Sequence, residues 1–328
     1  MEYTTLGDTG LEVSRLCLGC MSFGLDTSDW RDWVLGEDDS REIIERAIDL
    51  GVDFFDTANV YSMGDSERLL GRVLADYDRD AQVVATKVHP VWTPDAYHPG
   101  GRAGLSRKSI DLAVENSVER LGMDAVDLYQ IHRWDDDTPI GETLRALDDV
   151  VWRGRVRYLG ASSMWAHQFA TALHETDRLG EERFVSMQNH YNLVYREEER
   201  EMLPFCAKEG IGVLPWSPLA RGFLARPHEA IDATVRGQSE ERLYSQPYRE
   251  GGGIEVNERV EEVAENEGIS MAQVALAWLL SKEWVTAPVI GTTSVEHLEE
   301  AVEAVEIDLD DSDVEYLEEA YEPVRVDW

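Results

Sequence analysis

The sequence predicts an α/β fold, a single (β/α)8 TIM barrel with an N-terminal β-hairpin and an extra C-terminal helix, and three observations carry that prediction. Apolar runs of strand length recur eight times, at residues 16–20, 52–56, 83–87, 126–132, 156–161, 185–189, 212–216 and 287–290. Amphipathic stretches separate them, which is the alternation and the count of a closed parallel barrel. No Pro/Ser-rich linker divides the 328 residues, and barrels routinely exceed the usual domain size, so one domain over residues 1–328 is expected.

The chain opens with residues 3–6 and 11–14, separated by Gly7-Asp8-Thr9-Gly10. This reads as a β-hairpin placed to plug the N-terminal end of the barrel. Ser106 precedes the periodic run 110–121, and Thr138-Pro139 opens the run that ends at Trp152, as an N-cap followed by proline does. Gly51, Gly122, Gly154, Gly180 and Gly210 fall where helices should stop. Residues 310–320 read as the additional terminal helix. Two irregular segments interrupt the alternation: 91–104, rich in Pro and Gly, and 216–256, which contains Gly251-Gly252-Gly253. Both follow strand ends and are expected to overhang the C-terminal face as lids or binding loops.

Charge is the extreme feature of the composition. Asp and Glu number 66 against 30 Lys and Arg, a net charge of −36, and only Lys87, Lys108, Lys208 and Lys282 are lysines. Such a surface repels itself in dilute buffer, and that repulsion fades when the screening length falls to about 3 Å at molar salt. A salt-rich cytoplasm is the natural setting. The acids are scattered over most helices rather than gathered in a tail, which argues against a docking site for a basic partner. Without a basic stripe, nucleic acid is excluded as a partner. No stretch of about 18 apolar residues occurs and residues 1–10 are polar, so neither a membrane span nor a secretory signal is expected.

Three cysteines make no disulfide framework. Cys17 and Cys20 form a C-x-x-C inside an apolar run with no helix start after it and no second Cys or His pair, so they read as small buried residues rather than a redox or zinc pair. His89, His98 and His190 stand near one face but lack carboxylates at ligand spacing, and no metal site is expected.

Four ionisable residues lie at or just beyond the C-terminal ends of strand candidates: Asp56, Tyr61, Lys87 and His132. Singly each has an ordinary explanation: Asp56 as a turn cap, Tyr61 as a half-buried loop aromatic, Lys87 and His132 as an ion pair. In a parallel barrel, however, those ends converge on the face that does chemistry. A phenol ordinarily titrates near pH 10, so beside Lys87 and His132 it becomes a proton-transfer group, with Asp56 holding Lys87 charged.

The stretches around these residues read Asp56-Thr57-Ala58-Asn59-Val60-Tyr61, Ala85-Thr86-Lys87 and Asp127-Leu128-Tyr129-Gln130-Ile131-His132-Arg133-Trp134-Asp135. Further along come Gly160-Ala161-Ser162-Ser163, Gln188-Asn189, Trp216-Ser217-Pro218-Leu219 and Gly291-Thr292-Thr293. In this order, over nearly the whole chain, they resemble the aldo-keto reductases, and the stretches 129–135 and 216–222 are similar to the branch holding bacterial broad-specificity reductases and potassium-channel β subunits. The resemblance implies hydride transfer from NAD(P)H to an aldehyde or ketone. Tyr61 would be the proton donor, His132 would orient the carbonyl oxygen, and Lys87, paired with Asp56, would lower the pKa of Tyr61. It also implies that Ser162, Ser163 and Gln188 hydrogen-bond the nicotinamide carboxamide and that Trp216 stacks on its ring. Ser217, Leu219 and Arg221 would follow the pyrophosphate, Met21 and Asp56 the ribose, and Gly291, Thr293, His297 and Glu300 the adenosine phosphate.

A cofactor of this kind needs no dinucleotide fingerprint in a barrel, where phosphates bind after strands seven and eight. The nearest glycine cluster, Gly100-Gly101-Arg102-Ala103-Gly104, has the wrong spacing for a doubly wound fold. NADP(H) is favoured by the resemblance, with NAD(H) as the alternative. The Lys or Arg that commonly clamps a 2′-phosphate in the segment matching 291–297 is absent, as is a common Asn where Ala301 stands. His190 reads as lining the pocket, and Trp92, Tyr97 and Trp134 read equally as an apolar wall of the substrate site or as ordinary loop anchors. A redox sensor that holds NADP(H) and regulates a partner, as channel β subunits do, is the competing class, and the oligomeric state is left open.

Overall fold

Eight parallel strands close on themselves in the computed structural model, which describes residues 1–25, 33–89, 104–233 and 247–326. The barrel strands are β3 (Cys17–Gly19), β4 (Phe54–Asp56), β5 (Val83–Val88), β6 (Val126–Ile131), β7 (Val156–Ser162), β8 (Phe184–Gln188), β9 (Gly212–Val213) and β10 (Val289–Ile290). From β3 to β9 each pairs with the next in sequence, and β10 pairs with β3. Parallel bridges Val213–Val285 and Trp216–Val289 complete the circle. The hairpin β1 (Tyr3–Thr5) and β2 (Glu12–Ser14) pairs antiparallel. Its turn reaches the bottom of the barrel, where the Asp8 amide donates to the Gly210 carbonyl at 2.8 Å. Leu6 and Val13 join Cys17, Phe54, Val83, Ala85, Leu128 and Leu214 in the interior, so the hairpin plugs the N-terminal end as expected.

Helices surround the strands: α1 (Glu37–Asp49), α2 (Asp65–Leu74), α3 (Arg107–Leu121), α4 (Ile140–Trp152), α5 (Ala166–Leu179), α6 (Met202–Glu209), α7 (Gly253–Glu267), α8 (Met271–Leu280), α9 (Val295–Glu303) and α10 (Asp311–Glu319). Strands β5 and β6 are buried over their full length because the interior covers one face and helices the other. The Ser106 side chain accepts from the Ser109 amide at the start of α3, and all five of the stop glycines have positive φ, the left-handed cap that glycine adopts without a Cβ clash. One start differs. Pro139, not Thr138, occupies the cap of α4, because the Thr138 hydroxyl is spent on Asp135 Oδ2 at 2.7 Å.

Cys17, Cys20 and Cys206 are buried free thiols. Most of the irregular segment 91–104, with Trp92, Tyr97, His98 and Gly100 to Ala103, lies outside the described residues, as do residues 234–246 of the second segment. Among the described residues no helix is long and apolar enough to cross a membrane.

Candidate active site

Strand register brings the ionisable residues together. Asp56 ends β4, with Gly19 and Ala85 as its neighbours across the sheet, and Lys87 on β5 sits opposite Gln130 on β6. Tyr61 follows five residues after Asp56, at the start of a tight turn (Tyr61–Gly64) in which Ser62 and Met63 take positive φ. His132 comes directly after β6, its amide bonded to the Val88 carbonyl at 2.8 Å.

The Lys87 ammonium is fully buried and spends its three protons on three acceptors. It pairs with Asp56 Oδ1 and donates to the Thr57 carbonyl at 2.9 Å and to the Tyr61 hydroxyl at 3.2 Å. Asp56 Oδ2 accepts from Gln130 Nε2 at 2.8 Å and from Gln188 Nε2 at 2.9 Å, so neither charge of the buried pair is left unsolvated. Burial pushes the Lys87 pKa down, but Asp56 and Tyr61 outweigh it and hold the ammonium above its ordinary value. Burial raises the Tyr61 phenol above its ordinary 10, with Lys87 acting against the rise. The net direction is therefore opposite to the lowering expected for Tyr61, since the same packing that brings the lysine close also strips water from the phenol.

His132 stands edge-on to Tyr61, ring centroids 5.8 Å apart. Burial first, then Lys87 and Arg133, push its pKa well below the ordinary value. The imidazole is neutral, and the ion pair of the ordinary reading is not with His132 but between Lys87 and Asp56.

The second group of expected residues lines the next strand ends. Ser162 closes β7, its hydroxyl 3.1 Å from that of Ser163, which accepts from the Trp216 indole at 3.0 Å. His190 is sandwiched between Trp216 at 4.1 Å and Tyr195 at 4.0 Å, and its Nε2 meets the Tyr248 hydroxyl at 2.9 Å. It is thus a buried backing for Trp216 rather than an open wall. Trp134 is half-buried against the main core, an anchor for its loop. Ser163, Ser217, Ala220 and Arg221 all have positive φ; backbone strain of this kind, about 1 kcal/mol or more per residue, clusters at functional sites.

Gly291 and Thr293 are exposed on the turn after β10, and nothing lies within 4 Å of where a Gly291 Cβ would stand. Ser294 caps α9 by accepting from the His297 amide at 3.2 Å. His297 is exposed and Glu300 half-buried on that helix. Ser22 ties the Met21 turn to this segment through the Thr292 carbonyl at 2.9 Å. Leu219 is half-buried in the turn after Trp216.

Gln130 escaped the sequence reading. It holds Asp56 from the strand beyond Lys87, and the signal for it was Gly160. A Cβ there would stand 2.8 Å from Gln130 Cγ and 2.6 Å from the Ser186 hydroxyl, so a bare backbone in mid-strand makes room for the amide.

Residues 15–322 match the model of the aldo/keto reductase family. The chain is 42% identical over 326 residues to versiconal hemiacetal acetate reductase of Aspergillus parasiticus, covering 94% of each chain. It is 42% identical over 335 residues to aldo-keto reductase AMT2 of Alternaria alternata, covering 95% of this chain and 89% of that one. A match over nearly the whole barrel, at this identity and with the Asp56, Tyr61, Lys87 and His132 cluster assembled, leads to one conclusion: the chain belongs to the aldo/keto reductase family.

Proposed function

We propose that the protein is an NAD(P)H-dependent carbonyl reductase in which Tyr61 is the general acid, acting as one barrel domain in a salt-rich cytoplasm. The observation that carries this reading is the Lys87 ammonium, which joins Asp56 to the Tyr61 hydroxyl inside the barrel mouth. Relatives named as reductases, one of them for a hemiacetal acetate, support it.

The residues fit a nicotinamide dinucleotide. Two adjacent hydroxyls on Ser162 and Ser163 and the Gln188 side-chain carbonyl suit a carboxamide, although Gln188 Nε2 is engaged by Asp56. Trp216, backed by His190, offers an aromatic face, Met21 and Asp56 suit the ribose, and Ser217, Leu219 and Arg221 follow on the strained turn after Trp216. The turn with Gly291 and Thr293, then His297 and Glu300, suits the adenosine end. Bound there, the reduced nicotinamide supplies the hydride to the carbonyl carbon.

Tyr61 gives its proton to the carbonyl oxygen as that oxygen takes up negative charge. A phenol raised above 10 keeps that proton at neutral pH, as an acid for reduction must. Lys87 stabilises the phenolate left behind until solvent reprotonates it, each pKa unit corresponding to about 1.4 kcal/mol. Among the described residues His132 Nδ1 is enclosed without a hydrogen-bond partner, and a buried bare lone pair is tolerated better than a buried unpaired N–H, so the ring proton belongs on Nε2, free to donate to the carbonyl oxygen.

The test is fluorescence titration at molar salt with NADPH and NADH separately, then absorbance decay with a panel of aldehydes. Aldehyde-dependent oxidation supports the reductase and ranks NADP(H) against NAD(H). Tight binding without turnover moves the reading to a redox sensor, and no binding removes the nicotinamide.

A further inference from the structure

In a chain with such an excess of carboxylates, a cation with no acidic partner is the exception. Many arginines elsewhere are paired with acids, among them Arg120 with Glu67, Arg157 with Asp127, and Arg196 with Glu199 and Glu318, while Arg15 spends its donors on the Val285, Thr286 and Leu280 carbonyls. Arg133 is half-buried on the C-terminal face, directly after His132. Among the described residues its guanidinium makes a single hydrogen bond, from Nη1 to the His132 carbonyl at 2.9 Å. The nearest acid in sequence, Asp135, makes no ion pair with it among the described residues; its carboxylate accepts from the Leu105 amide at 2.8 Å, the Thr138 hydroxyl at 2.7 Å and the Asp137 amide at 3.0 Å.

The guanidinium lies within electrostatic reach of Tyr61, His132, His89 and His190. The two proton donors of the proposed reaction are thus its neighbours, while Lys87 is already neutralised by Asp56. Burial pulls its pKa down, and among the described residues it is Tyr61, not a carboxylate, that acts against the fall. A charged fork left with most of its donors unused, in a partly dehydrated place, is a site for an anion.

We propose that Arg133 recognises a carboxylate on the carbonyl substrate, which makes aldehydes or ketones bearing a carboxylate the preferred substrate class. The inference rests on the reductase reading, and it assigns Arg133 to binding, not to the proton transfer. A planar guanidinium can give a carboxylate two parallel hydrogen bonds, and hydrogen bonds to charged groups discriminate by about ten-fold or more.

The test compares 4-formylbenzoate with methyl 4-formylbenzoate, which share ring and aldehyde and differ in charge, at molar salt where long-range steering is screened. Wild type is expected to favour the carboxylate by about ten-fold or more in kcat/KM, carried by KM. Arg133→Met is expected to bring the ratio near unity, and Arg133→Lys to restore part of it. Equal use of both aldehydes by wild type overturns the proposal without any variant, and so does an undiminished ratio in Arg133→Met. A merely structural role for Arg133 would lower both activities together and leave the ratio intact.

Should neither aldehyde be reduced, the reductase reading fails by itself. Quenching of tryptophan fluorescence by benzoate against benzamide then decides the carboxylate site independently. Benzoate binding that weakens in Arg133→Met supports it, and equal binding of the two probes, or no binding of either, overturns it.

Discussion

Tyr61 is the residue on which the proposed chemistry turns, and its hydroxyl has one hydrogen-bond partner within the described residues, Lys87. Tyr61→Phe removes the proton and leaves the ring. It should lower turnover by about 10²–10⁴ while cofactor titration stays within a few-fold; full activity in that variant would remove Tyr61 from the mechanism. Lys87→Met tests a different quantity. It leaves the Asp56 carboxylate buried with only the Gln130 and Gln188 amides, and breaking a buried ion pair from one side destabilises by about 3–5 kcal/mol. Adding Asp56→Asn removes the stranded charge, so the double variant should be more stable than Lys87→Met alone. Denaturant midpoints measure this, and a strictly additive double variant would mean the pair is not coupled.

The turn of residues 197–200, between β8 and α6, carries a pH device unrelated to the catalytic cluster. Glu198 is buried, accepts from Asn189 Nδ2 at 3.1 Å, and is raised to about 8 by burial and then by the neighbouring Glu197. Its folded pKa lies above its unfolded value, so the stability it contributes is fully present below about 4.5 and is lost as pH rises through about 8. Glu198→Gln keeps an acceptor for Asn189 and removes the titration. Between pH 5 and 9 its unfolding midpoint should therefore gain on that of wild type; parallel curves would mean that Glu198 does not titrate in this window. No apolar pattern could have announced Glu198, since a Glu in a Glu-rich turn looks like any solvated acid until the fold encloses it. Elements that bury both faces were legible for the opposite reason: all eight barrel strands show as apolar runs, and their charged ends mark Asp56, Lys87 and His132. What stayed hidden depends on contacts between strands far apart in sequence, such as Gln130 reaching Asp56 past Lys87 and His190 stacking behind Trp216. The start of α4 was misjudged by one residue because Thr138 had a competing acceptor in Asp135.

At the scale of the whole molecule, the net charge of −36 means that 36 carboxylates would lack a basic partner even if every Lys and Arg took one. The ion pairs that do form are mostly half-exposed, such as Arg107–Asp149 and Arg153–Asp111, and pairs of that kind contribute roughly 0–1 kcal/mol each. Salt weakens these attractions and the repulsion alike, but the unpaired acids are in excess, so screening should stabilise the fold. Each kcal/mol of repulsion relieved raises the midpoint by about 1.5 °C in a chain of this length. The range in which the rise occurs identifies its cause. The screening length has already fallen to about 3 Å at 1 M, so stabilisation by screening should be largely complete there. Exclusion of salt from the protein surface would instead grow steadily at higher concentration. Thermal scans in KCl from about 0.05 to 3 M should show most of the rise below 1 M; a flat response would mean that the repulsion is not limiting, and a rise confined to higher salt would assign it to exclusion. Cofactor affinity should follow the same curve. The −36 field opposes a phosphorylated dinucleotide at long range and is screened, whereas contacts made at the barrel mouth, half-buried, are screened far less. Tighter binding in dilute buffer by folded protein would show that the local cations, Arg221 and Arg133 among them, dominate the field of the whole surface.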